Sequence, residues 1–276
     1  MNIFVFDASR CNGCHGCQIA CKDEHCDNEW LPYAKPQPET GHFWCKLDEK
    51  THGQVPYVSV EYNVKLCNHC EDAPCMKAAP NAVYRRDDGM VIVDPEKAAG
   101  NRELVDSCPY GAIYWNDELS LPQKCTGCAH LVDEGELPRC VDFCQTGGLR
   151  FGAYEDFAEE LKDAEVLLPD GTFAPASDNV HGSHVYYLNR PKLFMAGNVW
   201  DPEPNEIIED AMVTLTNSAG DAIAEQKTDY FGDFKFERLD AGTYGLRIEK
   251  AGYAPVSKEG IRLDKSINVG DFPLSR

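Results

Sequence analysis

The chain has 276 residues, with 46 acidic against 26 basic side chains and a net charge of -20 at pH 7. That length accommodates two domains or three small ones. The acidic excess disfavours nucleic acid, whose affinity comes mainly from cationic contacts with phosphate, and no apolar stretch approaches membrane-spanning length.

The first seven residues, Met1 to Asp7, have too short an apolar run for a secretory leader and read as a strand entering the first cysteine group. A cytoplasmic protein is the expectation. Cys11, Cys14, Cys17 and Cys21 follow with the spacing C-x2-C-x2-C-x3-C, the bacterial ferredoxin run whose fourth cysteine ligates the other cluster of a pair. Its counterpart lies far downstream: Cys125, Cys128, Cys140 and Cys144 form C-x2-C-x11-C-x3-C. If the fourth ligands are exchanged, Cys11, Cys14 and Cys17 bind one [4Fe-4S] cluster with Cys144, and Cys125, Cys128 and Cys140 bind a second with Cys21.

Between Asp27 and Pro56 lies an insertion containing Trp30, Pro32, Pro36, Pro38, His42, Trp44 and His52. It shows no helical or strand period, and such a loop either packs on a partner or covers a cluster. Residues 57 to 62 and 90 to 93 read as short strands, with Asp88-Gly89 as a turn before the second. Cys67, Cys70 and Cys75 form C-x2-C-x4-C, but the fourth position before a proline reads Ala79-Pro80. Counting back from Cys108-Pro109, the positions at minus four, seven and ten are Leu104, Asn101 and Ala98. All four ligands of one cluster are gone together, and Cys67, Cys70, Cys75 and Cys108 remain as a complete third set. Cys26 and Cys45 are left over and read as small buried hydrophobes.

A cubane needs three thiolates from one tight turn, with backbone N–H groups aimed at the sulfurs. Gly13, Gly16 and Gly127 sit between ligands, where a side chain would crowd the cofactor or forbid the dihedrals. Structural zinc explains paired C-x2-C elements but neither the repeated cysteine three residues on nor the joint loss of four ligands. A disulfide framework is disfavoured, because so many cysteines in short runs suit a reducing or anaerobic compartment.

Residues 155 to 164 place Phe157, Ala158, Leu161 and Ala164 on one helical face, and a linker-like stretch follows with Pro169-Asp170-Gly171, Pro175 and residues 179 to 183. From about Leu193 cysteine disappears and β-alternation dominates: Ala211, Val213 and Leu215, then Phe234 and Phe236, then Tyr244, Leu246 and Ile248. Turns such as Gly220-Asp221 and Ala241-Gly242 at this interval describe an antiparallel sandwich or barrel. The expected organisation is an iron–sulfur domain over residues 1–190 and a β-domain over 191–276, an α+β chain overall.

The segments Ala20-Cys21-Lys22, residues 67 to 75 (CNHCEDAPC), residues 124 to 128 (KCTGC) and residues 138 to 141 (PRCV) resemble the iron–sulfur subunits of molybdopterin oxidoreductases of the dimethyl sulfoxide reductase family. The likeness covers residues 1 to about 150. It implies two pseudo-symmetric ferredoxin-like halves, here with three [4Fe-4S] clusters rather than four. It also implies a heterodimer with a large catalytic partner that holds molybdenum or tungsten between two pterin guanine dinucleotides, with no catalytic residue in this chain. Gln145 stands where the family has proline after the last ligand.

The C-terminal pattern, with Gly197-Asn198-Val199, residues 232 to 236 (GDFKF), Leu239, Gly242-Thr243-Tyr244 and Gly252-Tyr253, resembles the transthyretin-like or collagen-adhesin B-type domain, an immunoglobulin-like sandwich. Three clusters with such a domain look like the small subunit of the family's polyhydroxybenzene transhydroxylases, in which hydroxyl transfer occurs at molybdenum on the large subunit. By the same resemblance, the missing cluster is the one that faces a membrane-bound quinone partner in respiratory relatives. The competing readings are an electron-transfer subunit of a respiratory reductase for a sulfur or arsenic oxyanion, and a binding module whose clusters are structural.

Overall fold

The computed structural model describes residues 1–276. The chain forms two compact units, one of Met1–Glu49 with Tyr62–Arg190 and one of Lys50–Glu61 with Pro191–Arg276.

The first unit is organised by the strand Asn2–Asp7. Its residues Ile3, Phe4, Val5 and Phe6 are all buried, so the strand is covered on both faces. Successive side chains alternate between those faces. Ile3 and Val5 pack with Leu161, Ala164 and Leu188, whereas Phe4 and Phe6 join Met90, Leu149, Val185 and Tyr187 in a core that also contains cysteines. The strand runs parallel to Val185–Leu188 and antiparallel to Leu149–Ala153. Because Phe6 pairs with Leu149, the residues after Asp7 and those before Leu149 leave the sheet at the same end. Cys11 and Cys144 occupy those two exits.

The helix Gly16–His25 carries Cys17 and Cys21 inward and contacts the short helix Arg139–Asp142, which carries Cys140. Glu24 clamps the two: its carboxylate accepts from Arg139 Nε at 2.7 Å and lies 3.1 Å from His130 Nε2. Two small hairpins, Val83–Arg85 with Val91–Val93 and Tyr114–Asn116 with Leu121–Gln123, flank the remaining cysteines. The guanidinium of Arg85 donates to the carbonyls of Cys70 and Glu71, both at 2.6 Å, and fixes the loop that follows the first two cysteines of that set.

Three sequence expectations need correction here. Residues 165 to 188 are no linker: Glu165–Leu167 pairs with Phe173–Pro175 and with Val185–Leu188, completing a five-stranded sheet. The Pro169-Asp170-Gly171 segment is its hairpin turn, closed by Asp170 Oδ1 accepting from Thr172 N at 2.9 Å, with Gly171 at φ +83°. The segment 155 to 164 is no continuous helix but a turn at Tyr154–Phe157 and a 3-10 turn at Glu160–Asp163. Carboxylates at 155, 156, 159, 160 and 163 fall at spacings where like charges repel along a helix, and Glu160 is drawn instead to Arg150. Leu161 and Ala164 are nevertheless buried. The insertion contains a nine-residue strand, Lys46–Gln54, paired with Tyr57–Lys65. Its sequence KLDEKTHGQ buries little besides Leu47, so no apolar alternation announces it.

In the second unit, Leu193–Asp201 lies between Glu206–Ile207 and Asp233–Leu239 and also pairs with Ile267–Pro273, while Ala222–Lys227, Met212–Thr216, Gly242–Glu249 and Val256–Leu263 form a second four-stranded sheet. Met195, Val199, Phe234, Phe236 and Phe272 from the first sheet meet Val213, Leu215, Leu246, Ile248 and Leu263 from the second in one core. That core is the alternation of the sequence made physical. One pairing departs from the antiparallel expectation, since Leu193–Asp201 and Ile267–Pro273 run parallel.

Hydrogen bonds from Arg139 and His130 outweigh the burial of Glu24 and hold its carboxyl below the ordinary value of 4.5. Its stabilising contribution is therefore complete above pH 4.5 and disappears as pH falls through the lowered value. Glu24→Gln should destabilise the protein by about 1 kcal/mol at neutral pH. Thermal melts should show that gap closing below pH 4.5.

Candidate iron–sulfur sites

All fourteen cysteines are free thiols, and twelve of them gather in three groups of four. Burial first, and then the thiols of Cys17, Cys144 and Cys14, push the Cys11 thiol up. Cys21 is held well above the ordinary thiol value by burial and by Cys140, Cys125 and Cys128. Cys70 is raised by burial and by Cys67, Cys108 and Cys75. Two of the groups line small cavities, one bounded by Cys11, Cys14, Cys17 and Cys144, the other by Cys67, Cys70, Cys75 and Cys108. Nowhere do three His, Cys, Asp or Glu side chains converge as a single ion would require. The thiols are instead spread around a shared space, as the ligands of a polynuclear centre are.

Local backbone geometry aims donors at sulfur. The N–H groups of Gly16, His69, Ala112 and Gly127 point at the Sγ atoms of Cys14, Cys67, Cys108 and Cys125, each at 3.4 Å, and Leu149 N points at Cys144 Sγ at 3.3 Å. Such bonds favour the thiolate over the thiol. Winding the chain this tightly needs left-handed residues: Gly13 at φ +75°, His15 at +57°, His69 at +44°, Gly127 at +68° and Cys128 at +51°. A Cβ on Gly13 would meet the Tyr62 ring at 2.3 Å, and one on Gly127 would meet Met90 Sδ at 2.9 Å.

Several buried groups face the thiols with bonding capacity left over. His69 Nδ1 accepts from Val91 N at 3.0 Å, which puts the ring proton on Nε2, and that atom is buried without a partner in the wall of the Cys67 cavity. His25 Nε2 lies 3.6 Å from Cys128 Sγ. Burial above all drives the His25 imidazole down to about 3, so it is neutral. The unpartnered His69 donor beside clustered thiols fits an inorganic core carrying sulfide, which supplies an acceptor where the protein alone has none.

The leftover cysteines separate. Cys26 is only half-buried and joins no group, whereas Cys45 is 1% exposed and its thiol is driven up first by Cys140 and Cys17. It thus lies between the first and second groups. Cys45 is also the main reason that the Cys17 thiol drops to about 7. Nothing in the spacing marks Cys45. Trp30 and Trp44 of the insertion turn inward, Trp30 stacking on His130 at 4.2 Å and Trp44 packing on His25 at 4.8 Å between ring centres.

The positions where a fourth ligand set was expected by the sequence pattern are filled rather than hollow. Ala79, Ala98 and Leu104 are 8%, 0% and 1% exposed and share one apolar core with Ala82, Val83 and Val93.

Residues 58–154 match the family model of a 4Fe-4S dicluster domain, and residues 195–274 match that of a carboxypeptidase regulatory-like domain. The protein is 36% identical to the pyrogallol hydroxytransferase small subunit of Pelobacter acidigallici, over 98% of both sequences. It is 34% identical to one of the chains of the anaerobic dimethyl sulfoxide reductase of Escherichia coli, over 60% of its own length and 80% of that relative's. One of the subunits of the tetrathionate reductase of Salmonella typhimurium is 30% identical, over 69% and 73% of the respective lengths.

Gly13→Ala would force a left-handed alanine into the Tyr62 ring, at a cost of at least about 1–2 kcal/mol. Iron analysis should show a loss confined to one cluster's worth per chain, with a lowered melting temperature. Thiols gathered in fours, donors aimed at their sulfurs and the likeness to the dimethyl sulfoxide reductase and pyrogallol hydroxytransferase components agree: the protein belongs to the family of iron–sulfur subunits that serve molybdopterin oxidoreductases.

Proposed function

We propose that this protein is the non-catalytic small subunit of a molybdenum enzyme of the pyrogallol hydroxytransferase type, carrying three [4Fe-4S] clusters. The likeness to the Pelobacter subunit over 98% of both sequences carries this reading, because it includes the C-terminal sandwich as well as the cluster region. The ligand sets are Cys11, Cys14, Cys17 and Cys144 for the first cluster, Cys21, Cys125, Cys128 and Cys140 for the second, and Cys67, Cys70, Cys75 and Cys108 for the third. The grouping of thiols in fours supports these sets. Two pseudo-symmetric ferredoxin-like halves would follow, one of them with its second cluster replaced by the core around Ala98 and Leu104.

The chemistry belongs to a large partner subunit holding molybdenum with two molybdopterin guanine dinucleotides. There a hydroxyl group moves between trihydroxybenzenes, and the clusters supply electron exchange with the metal. This chain's own residues bind the clusters, shield them from water and set their potentials through N–H donors and nearby charge. Its thiol content suits a reducing, cytoplasmic setting, and no helix is long and apolar enough to cross a membrane.

The complex purified from its native host should convert pyrogallol to phloroglucinol anaerobically, copurify with a molybdenum-containing large chain, and hold about twelve iron atoms per small chain. Inactivity on pyrogallol together with a membrane-anchor subunit and quinol-dependent turnover would move the assignment to a respiratory reductase. For the ligand exchange, Cys21→Ser should perturb the paramagnetic signal of the cluster held by Cys125, Cys128 and Cys140. Loss of the Cys11 cluster's signal instead would show that the pairing is wrong.

A further inference from the structure

Lys124 follows the strand Leu121–Gln123 and directly precedes Cys125. It is 2% exposed, and its ammonium donates to the carbonyls of Val91 and, at 3.0 Å, of Cys125. It also lines the cavity bounded by Cys67, Cys70, Cys75 and Cys108. Two neutral carbonyls are poor recompense for removing an ammonium from water, so a buried lysine needs an anion close by. Its surroundings are rich in sulfur: it shares the cavity wall with Cys67 and Cys75 and adjoins Cys125 in the chain. Lining the Cys67 cavity while donating to the Cys125 carbonyl, this lysine touches both the third group and the second. The backbone of Val91 anchors both sides, its carbonyl taking Lys124 and its N–H bonding His69 Nδ1.

We propose that Lys124 is a fixed cation shared by two adjacent cluster sites, the one held by Cys67, Cys70, Cys75 and Cys108 and the one that includes Cys125, and that it raises the reduction potential of both. The inference rests on the ligand sets proposed above. A [4Fe-4S] core with four thiolates is anionic and gains one further negative charge on one-electron reduction, with no bond made or broken. A cation held at fixed distance therefore favours the reduced state. The cavity bounded by Cys11, Cys14, Cys17 and Cys144 does not include Lys124 in its wall, so the effect should be selective. Lys124 is a positioning and tuning residue here rather than a catalytic one.

The test uses the intact complex with Lys124→Met, which keeps length and removes charge, and Lys124→Arg, which keeps charge. Iron is counted in each, and potentials are followed by paramagnetic resonance. At a fixed poise, Lys124→Met should lower the reduced-to-oxidised ratio of two clusters by about tenfold and leave the third unchanged. Lys124→Arg should stay near wild type. Loss of those two clusters in the Met variant alone would equally support a requirement for charge. A fully loaded Met variant with unmoved potentials, a uniform shift of all three clusters, or loss of the same clusters in both variants would overturn the proposal. Iron-free wild-type complex would instead remove the ligand sets themselves, an outcome distinct from a loaded protein indifferent to Lys124.

Discussion

Thiols from opposite ends of the first unit are buried against one another, and a protein interior tolerates that crowding as thiolate only when positive charge shares the space. Burial and neighbouring thiols raise the ionisation cost of Cys11, Cys21 and Cys70, one in each group. Inorganic iron resolves the conflict, and binding it releases protons and adds folding free energy. The remaining features of the unit serve that constraint. The register of Asn2–Asp7 against Leu149–Ala153 brings the segments bearing Cys11 and Cys144 to one end of a sheet. The Glu24–Arg139 clamp does the same for the helices bearing Cys21 and Cys140. Helices of four or five residues, such as Pro74–Ala78, Ala129–Asp133 and Arg139–Asp142, are too short to persist without such ties.

The polar groups around the thiols form a graded electrostatic lining. Backbone N–H donors touch five sulfurs directly, His69 and His25 stay neutral through burial, and Lys124 alone brings a full charge into the wall of the Cys67 cavity. Cluster potentials respond to this kind of difference. One cofactor type placed at different sites of a chain can thus hold electrons at different levels without any change of ligand.

Much of the site could be read in advance because cysteine runs are local: Cys11 to Cys21 announces an incomplete pair, and the search for its partner leads to Cys125 through Cys144. The sandwich was legible for a similar reason, since Val213, Leu215, Leu246 and Ile248 record their burial in strict alternation. Lys46–Gln54 hid because its charged residues carry no burial signal. The strands at 165–167 and 173–175 hid behind a proline, an aspartate and a glycine that mark a hairpin turn as readily as a linker. Cys45 and Lys124 escaped for another reason. Their importance comes from what long-range folding sets beside them, and no spacing rule encodes that.

The packed interior around Ala98 and Leu104 has an evolutionary corollary. Building a cluster there would require cysteines at 79, 98, 101 and 104 together, and excavation of a core already filled by Leu104, Val83 and Val93. Any single step would bury a lone thiol or open a void, with destabilisation and no metal to show for it. The packed region is thereby closed to the gradual gain of a cofactor.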